Sequence, residues 1–224
     1  AQVPLLAGFD VLATNSTMNA QALLASFGDG ASWRLADIHI VPPKLMSAQR
    51  AAVRKHTRDG GPDALLYVGR VKSHKRIEHI LMLFADYLRL SPEAECWIVG
   101  AANDRTYRDY LTWVERTQLE LPEGKVKWLG AVGPEKLEKL YRTASAYVSM
   151  SEDEGYCLPV FEAMQQGLPV FAYALPPILD LLDGTGLTFE RKEYPHLASA
   201  LHSLVHDKER RAAVVERQLT RAEA

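Results

Sequence analysis

From residue 64 onward, short apolar runs alternate with longer segments whose apolar residues recur every three or four positions. That alternation predicts buried parallel strands covered by helices. Strands are expected at 65–69, 96–100, 126–130, 146–150 and 168–173, with a shorter one at 187–189. A helix is expected at 76–90, where Ile77, Ile80, Leu81, Phe84 and Leu88 share one face. Others are expected at 107–119, from Pro134 onward with Leu137, Leu140 and Tyr141 as the apolar stripe, at 159–166, and from His196 onward. Ser91-Pro92 and Gly167 stop the helices before them, while Pro134 and Pro159 stand at first turns, where a missing N–H costs nothing. Pro176-Pro177 reads as irregular, and no element is assigned there. The predicted fold class is α/β, a Rossmann-like doubly wound parallel sheet.

Residues 1–63 differ. A strand is expected at 9–14, a helix at 17–27 and a strand at 38–41 that runs into Pro42-Pro43. The polar, basic stretch 47–61 leads into Pro62 through Asp59-Gly60-Gly61, which is the composition of a surface connection. The chain therefore divides into 1–45, a linker at 46–63 and a domain at 64–224.

Bulk properties narrow the function classes. A formal charge of -2 supplies no general pull toward nucleic acid. No apolar run approaches the roughly 20 residues a membrane span needs. Cys96 and Cys157 lie far apart without metal-ligand spacing, so both are expected to be reduced and buried, as suits the cytoplasm. The chain starts at Ala1 with no basic n-region, which predicts that its beginning is missing. Trp33, Trp97, Trp113 and Trp128 are expected as core or half-buried packing residues.

In a doubly wound sheet the chemistry sits in the loops beyond the carboxyl ends of the strands. The loop Gly69-Arg70-Val71-Lys72-Ser73-His74-Lys75-Arg76 places a glycine turn and several cations before a helix N-terminus, a setting that suits phosphate. A solvated basic loop explains it equally well. The second loop runs from Glu154 to Glu162, with seven residues between the two carboxylates. On continuous helix these would stand about 12 Å apart. Gly155 and Pro159 instead predict a turn and a helix start, so Glu154 lies above the helix and Glu162 projects from its first turns. The amides near Tyr156, Cys157 and Leu158 would face the same space. Carboxylates match vicinal sugar hydroxyls; alternatively, both merely complement a helix dipole.

The string Ser151-Glu-Asp-Glu-Gly-Tyr-Cys-Leu-Pro-Val-Phe-Glu-Ala-Met-Gln-Gln-Gly-Leu-Pro-Val170 resembles the Glu-x7-Glu signature of retaining GT-B-fold glycosyltransferases of family four, the group 1 glycosyltransferases. The run from Tyr67 to Lys75 resembles the same family's phosphate-binding Gly-Arg followed by Lys. The resemblance covers roughly residues 64–207 and implies the C-terminal, donor-binding half of a GT-B fold. It implies that Arg70 and Lys75 neutralise the donor diphosphate and its leaving group, that Glu162 holds the nucleotide ribose, and that Glu154 contacts the transferred sugar near its anomeric centre. Arg70, Lys75 and Glu154 are thereby the catalytic candidates. Gly69, Gly155, Tyr156, Cys157 and Leu158 complete the donor contacts through backbone, and Gly130 and Ala131 fall where the family wraps the base. Tyr156-Cys157 replaces the family's usual Phe-Gly.

The resemblance further implies no metal or cofactor, a nucleoside-diphosphate sugar as donor, and a saccharide or lipid-linked acceptor. Likeness of 73–78 and 154–159 to bacterial polysaccharide and mannosyl-type transferases tilts the donor toward GDP-mannose, with a UDP-sugar as the other option. Family members carry an acceptor-binding domain before this one, and residues 9–41 resemble its end. The cleft is therefore expected to be incomplete, and this chain alone is expected to bind donor without transferring sugar. The implied location is cytoplasmic, free or at the inner face of the membrane through that other domain. None of the seven histidines has a catalytic setting. His74 reads as a neighbour of Lys75, Asp180 as a surface residue and Gly184-Thr-Gly186 as a lone turn. A nucleotide-sugar epimerase of the same architecture and a non-catalytic nucleotide-sugar-binding module remain the rival readings.

Overall fold

A computed structural model of the chain describes residues 12–14, 17–27, 34, 38–40 and 63–223. In the first part, β1 (Leu12–Thr14), α1 (Thr17–Phe27) and β2 (Ile38–Ile40) form a small unit in which β1 and β2 pair in parallel. The remainder of the strands expected at 9–14 and 38–41, the polar stretch 47–61 and Trp33 lie outside the described residues.

The larger unit is built on β3 (Ala64–Val68), β4 (Glu95–Val99), β5 (Val126–Gly130), β6 (Ala146–Ser149), β7 (Val170–Tyr173) and β8 (Leu187–Phe189). These make one six-stranded parallel sheet in the order β5-β4-β3-β6-β7-β8. Its central strands are buried on both faces, which is why β3 reads as an unbroken apolar run, whereas edge strand β5 alternates.

Helices cover both faces. Leu65 and Tyr67 of β3 point to a core shared with Ile80, Leu81 and Phe84 of α2 (Ile77–Leu90) and Leu201 of α7 (Tyr194–His206). Leu66 points the other way, into a core with Tyr141 of α4 (Pro134–Thr143), Val160 and Met164 of α5 (Leu158–Gln165) and Ile178 of α6 (Pro176–Leu182). Each fully buried Leu or Phe is worth about 1.5–3 kcal/mol, so these two layers outweigh any single surface pair. The last helix, α8 (Lys208–Glu223), returns to the second face, where the Gln218 carboxamide oxygen accepts the Val170 N–H at 3.4 Å.

The structure corrects the sequence reading in three places. Pro176-Pro177 begins α6 because proline is preset for a first turn, so the pair marks a start and not an irregular stretch. The helix expected at 107–119 starts earlier as α3 (Arg105–Trp113), capped by the Asp104 carboxylate on the Tyr107 N–H, and closes as a π-helix at Val114–Gln118. Trp97 packs as expected, but Trp113 and Trp128 are 48% and 38% exposed, and the Trp128 indole N–H donates to Glu115 at 2.8 Å. Both cysteines are free and buried, and burial pushes their thiol pKa values up. Among the described residues no helix is long and apolar enough to cross a membrane.

Three neighbouring strands each end at a glycine: Gly69, Gly100 and Gly130. Gly69 N–H donates to Val99 and Gly100 N–H to Gly130, at 2.9 and 2.8 Å, so the glycines form a stepped crest without side chains. A Cβ on Gly100, at φ +141°, would stand 1.9 Å from the Gly69 carbonyl oxygen, whereas one on Gly130 would meet nothing within 4 Å. Gly100→Ala is accordingly expected to destabilise the fold by about 2–4 kcal/mol, combining overpacking with backbone strain. Gly130→Ala is expected to cost only about 1–2 kcal/mol, the strain of its left-handed backbone. Urea unfolding of the two variants checks the difference, and equal losses would contradict the crest geometry.

Candidate functional site

The chain leaves β3 toward one edge of the sheet, through β4 and β5, then returns to build β6, β7 and β8 on the other side. Adjacent strands β3 and β6 thus send their following loops in opposite directions, opening a crevice at their carboxyl ends. Their register is direct, Leu65 opposite Ala146 and Leu66 opposite Tyr147. The two loops picked out from sequence therefore meet. One holds Arg70 and Lys75; the other holds Glu154 and leads to Glu162.

Lys75 and Glu154 form an ion pair at 2.7 Å, with side chains only 17% and 15% exposed. The Lys75 ammonium also donates to the Asp153 carbonyl at 3.3 Å. Lys75 is set there by a short 3-10 turn, Ser73–Lys75, braced where the Glu152 N–H donates to the His74 carbonyl at 2.9 Å. Burial, then the neighbouring Lys75 charge, lowers the pKa of His74.

Arg70 is exposed, and among the described residues its guanidinium makes no ion pair. Beneath it Tyr67 donates to the Arg70 carbonyl at 3.3 Å, and the ring fills the space a Gly69 side chain would need. Burial, and then the Glu154 charge, drives the Tyr67 pKa well up, so its hydroxyl stays a donor.

The turn after Glu154 ends at Cys157, which holds a left-handed backbone at φ 59° and caps α5. Its carbonyl accepts from Val160 and Phe161. Among the described residues the amides of Tyr156, Cys157 and Leu158 donate to no protein acceptor, leaving three N–H groups at a helix start. One turn further on, Glu162 is held by the Tyr141 hydroxyl, which donates to its Oε2 at 2.8 Å. Gly130 stands exposed at the end of β5 with open space above it.

Chemically, this assembles an anion-seeking corner and two fixed acceptors. Arg70, the α5 amides and Lys75 can receive a diphosphate; Glu154 and Glu162 can receive hydroxyl groups.

A model of the family described as glycosyl transferases group 1 matches residues 48–220. The chain belongs to the group 1 glycosyltransferases. It is 28% identical over 176 residues to a GDP-mannose-dependent alpha-mannosyltransferase of Mycobacterium tuberculosis, covering 77% of this chain and 42% of that protein. It is 25% identical over 157 residues to the O-antigen chain mannosyltransferase B of Escherichia coli, covering 70% and 40%. The chain thus spans well under two thirds of these relatives. Its fold matches that of Anabaena HepE crystallised with UDP and glucose, with TM-score 0.78, 19% identity, and coverage of 99% of this chain and 60% of that one. The fold is therefore the Rossmann-like one of the GT-B glycosyltransferases.

In this member of the group 1 glycosyltransferases the structure brings the two loops together at Lys75 and Glu154, with Arg70 exposed on the first loop and Glu162 one turn into α5. It also adds residues that the sequence reading passed over. Gly100 completes the glycine crest, and its signal was available in the repeated Val-Gly ending of β3 and β4. Tyr141 was read only as part of an apolar stripe, yet its hydroxyl fixes Glu162. Arg76, Glu152 and Lys192 form a charge cluster beside the Lys75–Glu154 pair; no local pattern announces it, because its members come from three separate loops. Tyr141→Phe should cost about 1 kcal/mol of stability, the net worth of one hydrogen bond. Guanidinium unfolding tests this, and an unchanged midpoint would mean that the Tyr141–Glu162 contact carries no weight.

Proposed function

We propose that this chain is the donor-binding half of a retaining glycosyltransferase. In this reading residues 64–224 bind a nucleoside-diphosphate hexose, 1–45 end an acceptor domain, and the intervening stretch links them. The hexose passes to a hydroxyl of a saccharide or lipid-linked acceptor. The observation that carries the reading is the meeting of two loops at the β3–β6 crevice. The Lys75–Glu154 pair joins a loop whose Arg70 makes no ion pair among the described residues to one whose Tyr156, Cys157 and Leu158 amides donate to no described protein acceptor, with Glu162 held by Tyr141 one turn on.

In the proposed reaction the acceptor oxygen bonds to the anomeric carbon while the carbon–oxygen bond to the diphosphate breaks. The bonding pair leaves with the diphosphate, and the departing phosphate oxygen takes up the proton that the acceptor hydroxyl gives up. Negative charge thus grows on the phosphate, where Arg70, Lys75 and the α5 amides are placed to meet it. Glu162 takes the ribose hydroxyls, and Glu154 contacts the transferred sugar near its anomeric centre. The mannosyltransferases among the relatives support GDP-mannose as the first donor to test, followed by UDP-sugars. Thermal shift with a panel of nucleotide sugars ranks them.

Binding is the direct test on this chain. GDP or UDP should bind, and Arg70→Ala should weaken that binding by about 1.5–3 kcal/mol, the worth of a hydrogen bond to a charged group. Glu162→Gln should also weaken nucleotide binding, while Glu154→Gln should act on sugar transfer in the whole enzyme and leave nucleotide affinity nearly intact. Calorimetry giving the same affinity for wild type and Arg70→Ala would sink the phosphate role. Equal losses in the two glutamate variants would sink the division of labour.

A further inference from the structure

Glu152 lies two residues before Glu154, and both of its carboxylate oxygens are engaged. Oε2 stands 2.6 Å from Arg76 Nε, and Oε1 stands 2.6 Å from Lys192 Nζ. Arg76 follows Lys75 in the loop after β3, and Lys192 belongs to the loop after β8. One side chain therefore ties together three loops at the carboxyl end of the sheet. The backbone repeats the tie between the loops after β3 and β6, because the Glu152 N–H donates to the His74 carbonyl at 2.9 Å.

The two cations are themselves anchored. Lys192 is only 13% exposed; it lies 4.6 Å over the Tyr173 ring and donates to the Met150 carbonyl at 3.3 Å. Arg76 holds a left-handed backbone at φ 52°, a sterically costly state for a residue with a Cβ. Its guanidinium also approaches Glu78 at 3.6 Å, and Glu78 is fixed by the Tyr107 hydroxyl at 2.5 Å. Lys192 and Arg76 together hold the Glu152 carboxyl below its ordinary pKa.

We propose that Glu152 is a positioning residue for donor binding: by clamping Arg76 and Lys192 it sets the backbone on either side of Lys75 and Glu154. This rests on the reading that Arg70, Lys75 and Glu154 receive a nucleoside-diphosphate sugar. Glu152 itself stays off the donor, since both of its oxygens are already occupied. The clamp has a consequence that simple electrostatics would place in the opposite direction. Removing the Glu152 charge frees two cations beside an anion site, which by charge alone should tighten diphosphate binding. If position governs, binding weakens instead.

The test measures UDP and GDP affinity by calorimetry for the 224-residue chain and its variants Arg70→Ala, Glu152→Gln, Lys192→Met and the Glu152→Gln/Lys192→Met pair. Glu152→Gln is expected to lose roughly tenfold in affinity, Lys192→Met less, and the pair no more than Glu152→Gln alone, as for residues acting through one contact. Amide hydrogen exchange without nucleotide is expected to quicken at 72–76 and 151–155 and to stay unchanged in β4 and α2, which a general loss of stability would not produce. Wild type that binds neither nucleotide, or that binds no better than Arg70→Ala, would overturn the donor reading and this proposal with it. Wild type that binds better than Arg70→Ala while Glu152→Gln binds as well or more tightly would overturn the clamp alone. Should Glu152→Gln fail to fold, Lys192→Met with unaltered affinity and unaltered exchange in both loops would likewise overturn the clamp.

Discussion

Everything at this site depends on β3 pairing in parallel with β6. Between them the strand order reverses, so the chain must leave the shared carboxyl end in two directions and cannot fill the space between. Ser145 at the opposite end secures the pairing: its N–H donates to the Ala64 carbonyl at 2.7 Å, and its hydroxyl accepts the Ala64 N–H at 3.2 Å. Asp63, just before β3, is buried and receives Tyr87, Ser91 and His206 on one oxygen, tying the start of the strand to α2 and α7. With the amino end held this firmly, the positions of Lys75 and Glu154 at the other end follow from two short loops. The glycine crest adds the second condition, because backbone without side chains lets a ligand approach the strand ends closely.

The charges around the crevice are arranged in layers. Lys75 pairs with Glu154, while Arg76 and Lys192 share Glu152, and Arg76 also faces Glu78. Among the described residues of the loop after β3, Arg70 and Lys72 are exposed and make no ion pair, and the planar fork of Arg70 suits two phosphate oxygens at once. Pairing the inner cations lowers the self-repulsion that so many neighbouring positive groups would otherwise cause.

Much of this was legible in the residues, for identifiable reasons. Buried parallel strands advertise themselves as short apolar runs, so β3, β4, β6 and β7 were placed within a residue or two, and the edge strands β5 and β8 were placed as well although their burial alternates. Arg70, Lys75, Glu154 and Glu162 were singled out because their loops follow strand ends and resemble the family's motifs, and of these the structure pairs Lys75 with Glu154 across the two loops. What escaped depended on contacts across the fold. Pro176-Pro177 can stop one helix or start another, and only the packing of Ile178 and Leu182 beneath the sheet decides that it starts α6. Trp113 and Trp128 are hydrophobic by type but stand on α3 and on edge strand β5, where the described residues leave them 48% and 38% exposed. Glu152, in the middle of an acidic triplet, looks like a solvated turn until Arg76 and Lys192 are brought to it from elsewhere.

Two residues flanking the site take backbone conformations that favour glycine. Arg76 lies just after Lys75 at φ 52°, and Cys157 lies three residues after Glu154 at φ 59°. Each costs about 1–2 kcal/mol relative to an unstrained residue, a cost that persists only where surrounding contacts over-determine the conformation. For Arg76 those contacts are Glu152 and Glu78. For Cys157 they are the buried thiol within the core of Leu66 and Val160, and the Val160 and Phe161 amides that donate to its carbonyl. Glycine at either place would relieve the strain, but it would also restore freedom to the joints that carry Lys75 and the α5 amides. The strained residues therefore do what a glycine joint leaves undone: they fix the angle at which each arm of the site enters the crevice, before any ligand arrives.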